Sequence, residues 1–251
     1  MRYVAAMNPA RFLDRSDGTR LAYHHRPGTG ATVVFLPGYM SDMAGTKAVA
    51  LDAWAGQRGR ACLRLDYSGC GASGGDFAAG TISRWTADAL AVIDAVAPGS
   101  VVLVGSSMGA WAALCVALAR PAKVAAVVTI AGAPDFTDWG LDLTAADRAA
   151  LARDGRIERP SLYGAPYTYT AALVDDGAAN RLLAGDIAID CPVRLLHGQA
   201  DPDVPWRVSL DVAARLRSSD VQVILVKDGD HRLSRAADLD LLCATLDLLE
   251  A

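Results

Sequence analysis

Histidine is scarce: the 251 residues hold four, His24, His25, His197 and His231. A general base working near neutral pH therefore has few places to come from. Cysteine is limited to Cys62, Cys70, Cys115, Cys191 and Cys243, odd in number and with no C-x-x-C pair. That excludes a disulfide framework and a zinc ribbon, and it suits a reducing compartment. Lysine and arginine never cluster, and the formal net charge is −4. No basic footprint for nucleic acid or an anionic membrane surface is left. The longest apolar runs, Ala110–Ala119 and Val124–Ala131, fall short of the roughly 18 residues that span a bilayer. Residues 1–15 lack the apolar core of a signal peptide, so the expected location is cytoplasmic. Aromatics make up only 6% of the chain, which makes their placement informative.

What is present is alternation. Apolar segments Thr32–Leu36, Ala61–Leu65, Val101–Val104, Val124–Ile130, Val193–His197 and Val221–Val226 read as buried strands. Helix-like stretches Lys47–Gln57, Ser83–Val96, Arg207–Arg217 and Ala236–Leu249 lie between or after them. This is the pattern of an α/β fold, a mostly parallel sheet with helices on both faces. Ahead of it, Ser16-Asp17-Gly18-Thr19 is a turn signal between Phe12-Leu13 and Leu21-Ala22-Tyr23, predicting an antiparallel hairpin. About 60 residues separate Ile130 from Val193, longer than an ordinary crossover. They predict a small helical cap over about 133–190, with a charged helix near Thr144–Arg153, inserted in a single domain spanning 1–251. No repeat or low-complexity tract interrupts the chain.

Gly105-Ser106-Ser107-Met108-Gly109 lies between the Val101–Val104 strand and the apolar helix Ala110–Ala119. A G-x-S-x-G turn in that setting presents a serine hydroxyl at the strand end, and side chains at 105 or 109 would collide with neighbouring backbone. A serine hydroxyl needs a base. His231, in the loop after the last strand, is where the chain order serine, acid, histidine requires one. His24 and His25 fall in the first hairpin, and His197 closes a strand and is expected to order the following turn. The acid belongs between Ser107 and His231, at a strand end: Asp201 and Asp203 both qualify. Asp201 has the better reach, and Asp203 is expected to shape the loop.

The tetrahedral intermediate needs two N–H donors. Met108 supplies one, and Tyr39, in Leu36-Pro37-Gly38-Tyr39, the other, with its side chain free to line a pocket. Phe136, Trp139, Tyr163, Tyr167 and Tyr169 concentrate in the predicted cap, as a pocket for an acyl or aryl group requires. Gly69-Cys70-Gly71-Ala72-Ser73-Gly74 matches G-x-G-x-x-G, but no helix opens directly after it and no acidic residue follows at the right distance. It reads as a structural loop held by Asp66 rather than a dinucleotide site. Cys115 reads as core, and Cys70 as lying near the site.

Ser107, Asp201 and His231 on this alternating pattern resemble the α/β-hydrolase superfamily. Leu36-Pro37-Gly38-Tyr39, Gly45-Thr46-Lys47-Ala48, Asp66-Tyr67-Ser68-Gly69, Gly105–Trp111, Ala119-Arg120-Pro121, Cys191–Gly198, Val204-Pro205-Trp206 and Asp230-His231-Arg232 look like its mitochondrial branch of palmitoyl-protein thioesterases and mycophenolic acid acyl-glucuronide esterases. The resemblance runs from about residue 33 to the final helix and weakens in the cap. It places serine, acid and histidine on Ser107, Asp201 and His231, and suggests a bacterial relative. It departs at Ala110, where the family has glycine. It implies hydrolysis of small-molecule carboxylic esters or thioesters through an acyl-serine, with no cofactor and no metal. The same triad also serves acyltransferases and hydrolases of amide or carbon–carbon bonds, and the scaffold can hold a ligand without turnover. A serine nucleophile argues against dehalogenase chemistry, which needs a carboxylate there.

Overall fold

The computed structural model describes residues 9–161 and 166–249. In chain order the elements are β1 (Arg11–Asp14), β2 (Arg20–Arg26), β3 (Thr29–Leu36), α1 (Thr46–Gln57), β4 (Arg60–Leu65), α2 (Ile82–Val96), β5 (Val101–Ser106), α3 (Met108–Ala119) and β6 (Val124–Ile130). Then come α4 (Phe136–Trp139), α5 (Ala145–Asp154), β7 (Arg156–Arg159), β8 (Tyr167–Thr170), α6 (Ala171–Ala179), β9 (Val193–Gly198), α7 (Arg207–Arg215), β10 (Val221–Val226) and α8 (Ala236–Leu249).

Eight strands form one sheet in the order β1-β2-β4-β3-β5-β6-β9-β10. From β4 to β10 neighbouring strands are parallel, while β1–β2 and β2–β4 are antiparallel. The leading hairpin is the expected one: Phe12 faces Ala22 across it, and Gly18 takes φ 83° in the turn. The central strands are apolar on both faces because both are covered. Val34 and Leu36 of β3, with Leu103 of β5, pack among Trp85 of α2, Trp111 of α3 and Val208 of α7. Val33, Phe35, Val102 and Val104 point the other way, onto Leu51 and Trp54 of α1 and Leu242 and Leu246 of α8. The buried tryptophan N–H groups all find acceptors: Trp85 the Ser68 carbonyl, Trp111 the Asn180 carbonyl and Trp54 the Asp247 carboxylate.

The excursion between β6 and β9 corrects one expectation. It is not wholly helical: β7 and β8 form a two-stranded antiparallel hairpin, pairing Ile157 with Tyr169. Two local devices explain the change of structure. Thr144 and Asp147 make a reciprocal capping box that starts α5, and Gly155 in the left-handed region at φ 72° stops it. Tyr167-Thr168-Tyr169-Thr170 then alternates with period two and high strand propensity. Thr170 caps α6 by accepting from the Leu173 N–H. The excursion is fastened at its base. Asp135, buried and at φ 57°, accepts the N–H groups of Leu182 (2.9 Å) and Leu183 (2.7 Å). Gly177 of α6 lies so close to Thr137 that a Cβ there would come within 2.2 Å of Thr137 Oγ1.

Candidate active site

Strands β3 and β5 are neighbours, although β4 lies between them in the chain. The connections leaving their C-terminal ends therefore diverge, opening a crevice where strand order reverses. Ser107 stands at that point, with Leu36 paired to Gly105 in the register beneath it. Its backbone sits at φ 54°, ψ −121°, a conformation costly for a non-glycine residue and typical of strained functional turns. The flanking glycines make the turn feasible. A Cβ at Gly105 would come within 2.4 Å of the Gly109 carbonyl oxygen, and one at Gly109 within 2.1 Å of the Leu36 carbonyl oxygen.

Three side chains predicted for catalysis meet here. His231 Nε2 lies 3.1 Å from Ser107 Oγ, and His231 Nδ1 lies 2.8 Å from Asp201 Oδ2. His231 is mostly buried and Asp201 fully so. The other carboxylate oxygen of Asp201 accepts the N–H groups of Asp203 (2.8 Å) and Val204 (2.9 Å). Burial alone would raise the Asp201 pKa. Hydrogen bonds from His197 and His231, and the Val204 N–H, outweigh it and hold the carboxyl well below the usual range. Asp201 thus reaches His231 while Asp203, exposed, contributes its backbone to the loop.

Met108 opens α3 directly after Ser107, and Gly38 brings the loop after β3 against it: a Cβ on Gly38 would sit 3.3 Å from Ser107 Cβ. Tyr39 follows, and Tyr39, Met108, Ser107 and His231 all line one cavity of about 640 Å³. Asp66 braces this loop from below, accepting the Met43 N–H (2.7 Å) with one oxygen and the Ala72 N–H (2.8 Å) with the other. The glycine-rich segment wraps the same carboxylate, since a Cβ on Gly71 would come within 2.1 Å of Asp66 Oδ2. Asp66 and the Gly69–Gly74 loop therefore form one structural unit, as the sequence suggested. Cys70, buried, and Cys115, half-buried, both have thiol pKa values pushed up to about 12 by burial, which keeps them protonated.

The cavity wall is aromatic on the cap side: Phe136, Trp139, Tyr167 and Tyr169 line it with Tyr39. Tyr163 lies outside the described residues. The ring of Tyr39 stacks on Tyr169 (centroids 5.2 Å apart, 10° between planes), and its hydroxyl donates to the Thr168 carbonyl. Among the lining residues that the sequence did not single out for the site are Met40, Arg159 and Lys47. Met40 takes φ 52° in the turn after Tyr39. Arg159 is paired with Asp147 across 2.7 Å. Lys47, in the first turn of α1, donates from Nζ to the Arg232 carbonyl at 2.5 Å. Burial, then repulsion from Arg232, lowers the Lys47 pKa to about 8. Lys47 carried a signal, being one of three lysines in the chain, in a segment already matched to a family motif.

Asp201, Asp203 and His231 bring potential metal-ligand atoms within 4.8 Å of one another. Both Asp201 oxygens are already committed to N–H donors, so the arrangement suits a hydrogen-bonded relay better than a cation.

The alpha/beta hydrolase family model matches residues 33–241. This chain belongs to that family. It is 40% identical over 243 residues to the human mitochondrial palmitoyl-protein thioesterase ABHD10, covering 94% of this chain and 78% of that protein. A crystal structure of a protein from Agrobacterium vitis S4 assigned as a hydrolase superposes with a TM-score of 0.91 and 42% identity, over 96% of this chain and 99% of that one. Est1E from Butyrivibrio proteoclasticus, in its complex with ferulic acid, shares the fold at 20% identity, with a TM-score of 0.78 over 94% of this chain and 96% of its own.

Proposed function

We propose that this protein hydrolyses carboxylic esters or thioesters of small molecules through an acyl-enzyme on Ser107. The observation that carries the reading is the unbroken contact Ser107–His231–Asp201 at the floor of an aromatic-walled cavity. The named activity of the thioesterase relative supports the thioester arm of the proposal.

His231 Nε2 takes the Ser107 proton as Oγ attacks the acyl carbonyl carbon. The tetrahedral oxyanion is held by the N–H groups of Tyr39 and Met108, and α3 directs its positive end at the same point. Asp201 stabilises the imidazolium and keeps Nδ1 protonated. The imidazolium then protonates the departing alcohol or thiol, leaving an acyl ester on Ser107. Water attacks that ester, His231 takes its proton, and collapse returns the proton to Ser107 and frees the acid. The excursion between β6 and β9 acts as the cap that dries this site and shapes the acyl pocket.

The test is turnover of activated acyl esters and acyl thioesters, with mass spectrometry of enzyme quenched during the reaction. Acyl mass on the peptide bearing Ser107, accompanied by release of free acid, is the expected result. Acyl transfer to an added alcohol with little free acid would make the protein an acyltransferase. Absence of turnover and of acylation would leave a ligand-binding member of the fold.

A further inference from the structure

One buried titratable side chain beside the site is not used in the steps above. His197, at the end of β9, is wholly inaccessible to solvent. Its Nδ1 lies 2.7 Å from the Ser209 hydroxyl of α7, and its Nε2 lies 3.1 Å from the Val204 carbonyl. The same Nε2 is 3.2 Å from Asp201 Oδ2, the oxygen that also meets His231.

One position in this cluster is settled by its partners. A carbonyl and a carboxylate only accept, so Nε2 of His197 must carry a hydrogen, which it donates to the Val204 carbonyl with Asp201 Oδ2 3.2 Å to the side. Nδ1 meets the Ser209 hydroxyl, which holds the ring in place from the α7 side. Without His197, the loop's own backbone pins only Oδ1 of Asp201, through the Asp203 and Val204 N–H groups. The carboxylate could then rotate about its own axis and swing Oδ2 away from His231. The electropositive Nε2–H edge of His197, 3.2 Å from Oδ2, supplies the third fixed point.

We propose that His197 is a positioning residue for the reaction: held by Ser209, it orients the Asp201 carboxylate toward His231. This rests on the assignment of Ser107, Asp201 and His231 as the reacting set. It goes beyond ordering the turn after β9, because a turn-ordering role needs the Val204 contact alone. The path Ser209–His197–Asp201–His231–Ser107 makes α7 a support of the nucleophile.

The experiment compares His197→Leu, His197→Gln and Ser209→Ala with the parent on an activated ester. His197→Leu fills the volume without a donor, whereas glutamine places an amide N–H near the position of Nε2. Leucine is expected to lower kcat by about 10- to 100-fold, the range for small misplacements of reacting groups, with KM within twofold. Glutamine should recover kcat to within about fivefold of the parent, and Ser209→Ala should lower it about three- to tenfold. In the proton NMR spectrum, the downfield resonance of the His231 Nδ1–H should weaken or move upfield in the leucine variant and return in the glutamine variant.

Equal kcat for leucine and glutamine variants, or a kcat loss that merely follows the fraction folded, would overturn the proposal. If the leucine variant fails to fold, Ser209→Ala decides, and an unchanged kcat and resonance there overturn it. An Asp201→Asn variant run alongside separates the two readings. Full activity in that variant would remove the catalytic assignment itself, whereas its loss with a silent His197 would remove only the positioning role.

Discussion

The Tyr39 hydroxyl donates to the main-chain carbonyl of Thr168, joining the loop after β3 to the β7–β8 hairpin. The same residue lines the cavity beside Ser107 and stacks its ring on Tyr169. One residue thus joins the loop proposed to hold the oxyanion to the cap.

Tyr39→Phe keeps the ring and the backbone donor and removes only the hydroxyl. The lost hydrogen bond should cost about 1 kcal/mol. Amide hydrogen exchange over 166–170 is expected to quicken, with kcat within about threefold of the parent. Unchanged exchange would show that ring stacking alone holds the hairpin.

Ser107→Ala and His231→Ala should each lower kcat at least 1000-fold on the order of other serine triads, and combining them should add little, because the two act as a unit. Asp201→Asn should cost about 10² to 10⁴ in kcat, since the amide favours the wrong imidazole tautomer. Asp203→Asn should cost less than about fivefold, because it is the Asp203 backbone N–H, not its side chain, that bonds Asp201. Steady-state assays on these variants, with thermal unfolding as a control for folding, rank the two acids. A larger loss at Asp203 would reverse their roles.

Acyl preference follows from the aromatic wall. Each methylene buried in it contributes about 0.8 kcal/mol, so kcat/KM should rise about three- to fourfold per added carbon until the cavity is filled. Trp139→Ala and Tyr167→Ala should flatten that rise. A flat profile in the parent, unchanged in both variants, would assign these rings to packing of the cap.

Lys47 gives a pH signature. Its folded pKa of about 8 lies below the ordinary 10.5, so between these values the unfolded chain binds more protons than the folded one. Stability from this group therefore rises with pH across that window. Below pH 8 the buried ammonium is a cost on the order of 1 kcal/mol after solvent screening. Denaturant unfolding of the parent and Lys47→Met should diverge accordingly: the variant gains relative stability at pH 7, and the difference shrinks toward pH 10.

The parallel core was legible because its strands are short apolar runs bounded by turns, and Ser107 because its glycines sit between a strand and a helix. His231 followed from scarcity and order. The β7–β8 hairpin was not legible: Arg156-Ile157-Glu158-Arg159 continues the charged texture of α5, and only the left-handed Gly155 marks the break. The contact of His197 with Asp201 was equally hidden. It depends on the loop after β9 folding back so that the Val204 carbonyl meets the ring, a closure that local spacing does not encode.

The site is assembled from strand ends far apart in the chain: Ser107 and His231 are 124 residues apart, and the loop of Asp201 lies between them. Contacts of such long range form late, because chain closure must precede any gain from them. During synthesis, the elbow after β5 would emerge with no base to activate it until β10 and the loop beyond it had joined the sheet. The proposed nucleophile is therefore chemically silent on a nascent chain, and recovery of the proposed turnover in a refolding experiment would report docking of the last strand rather than formation of the first.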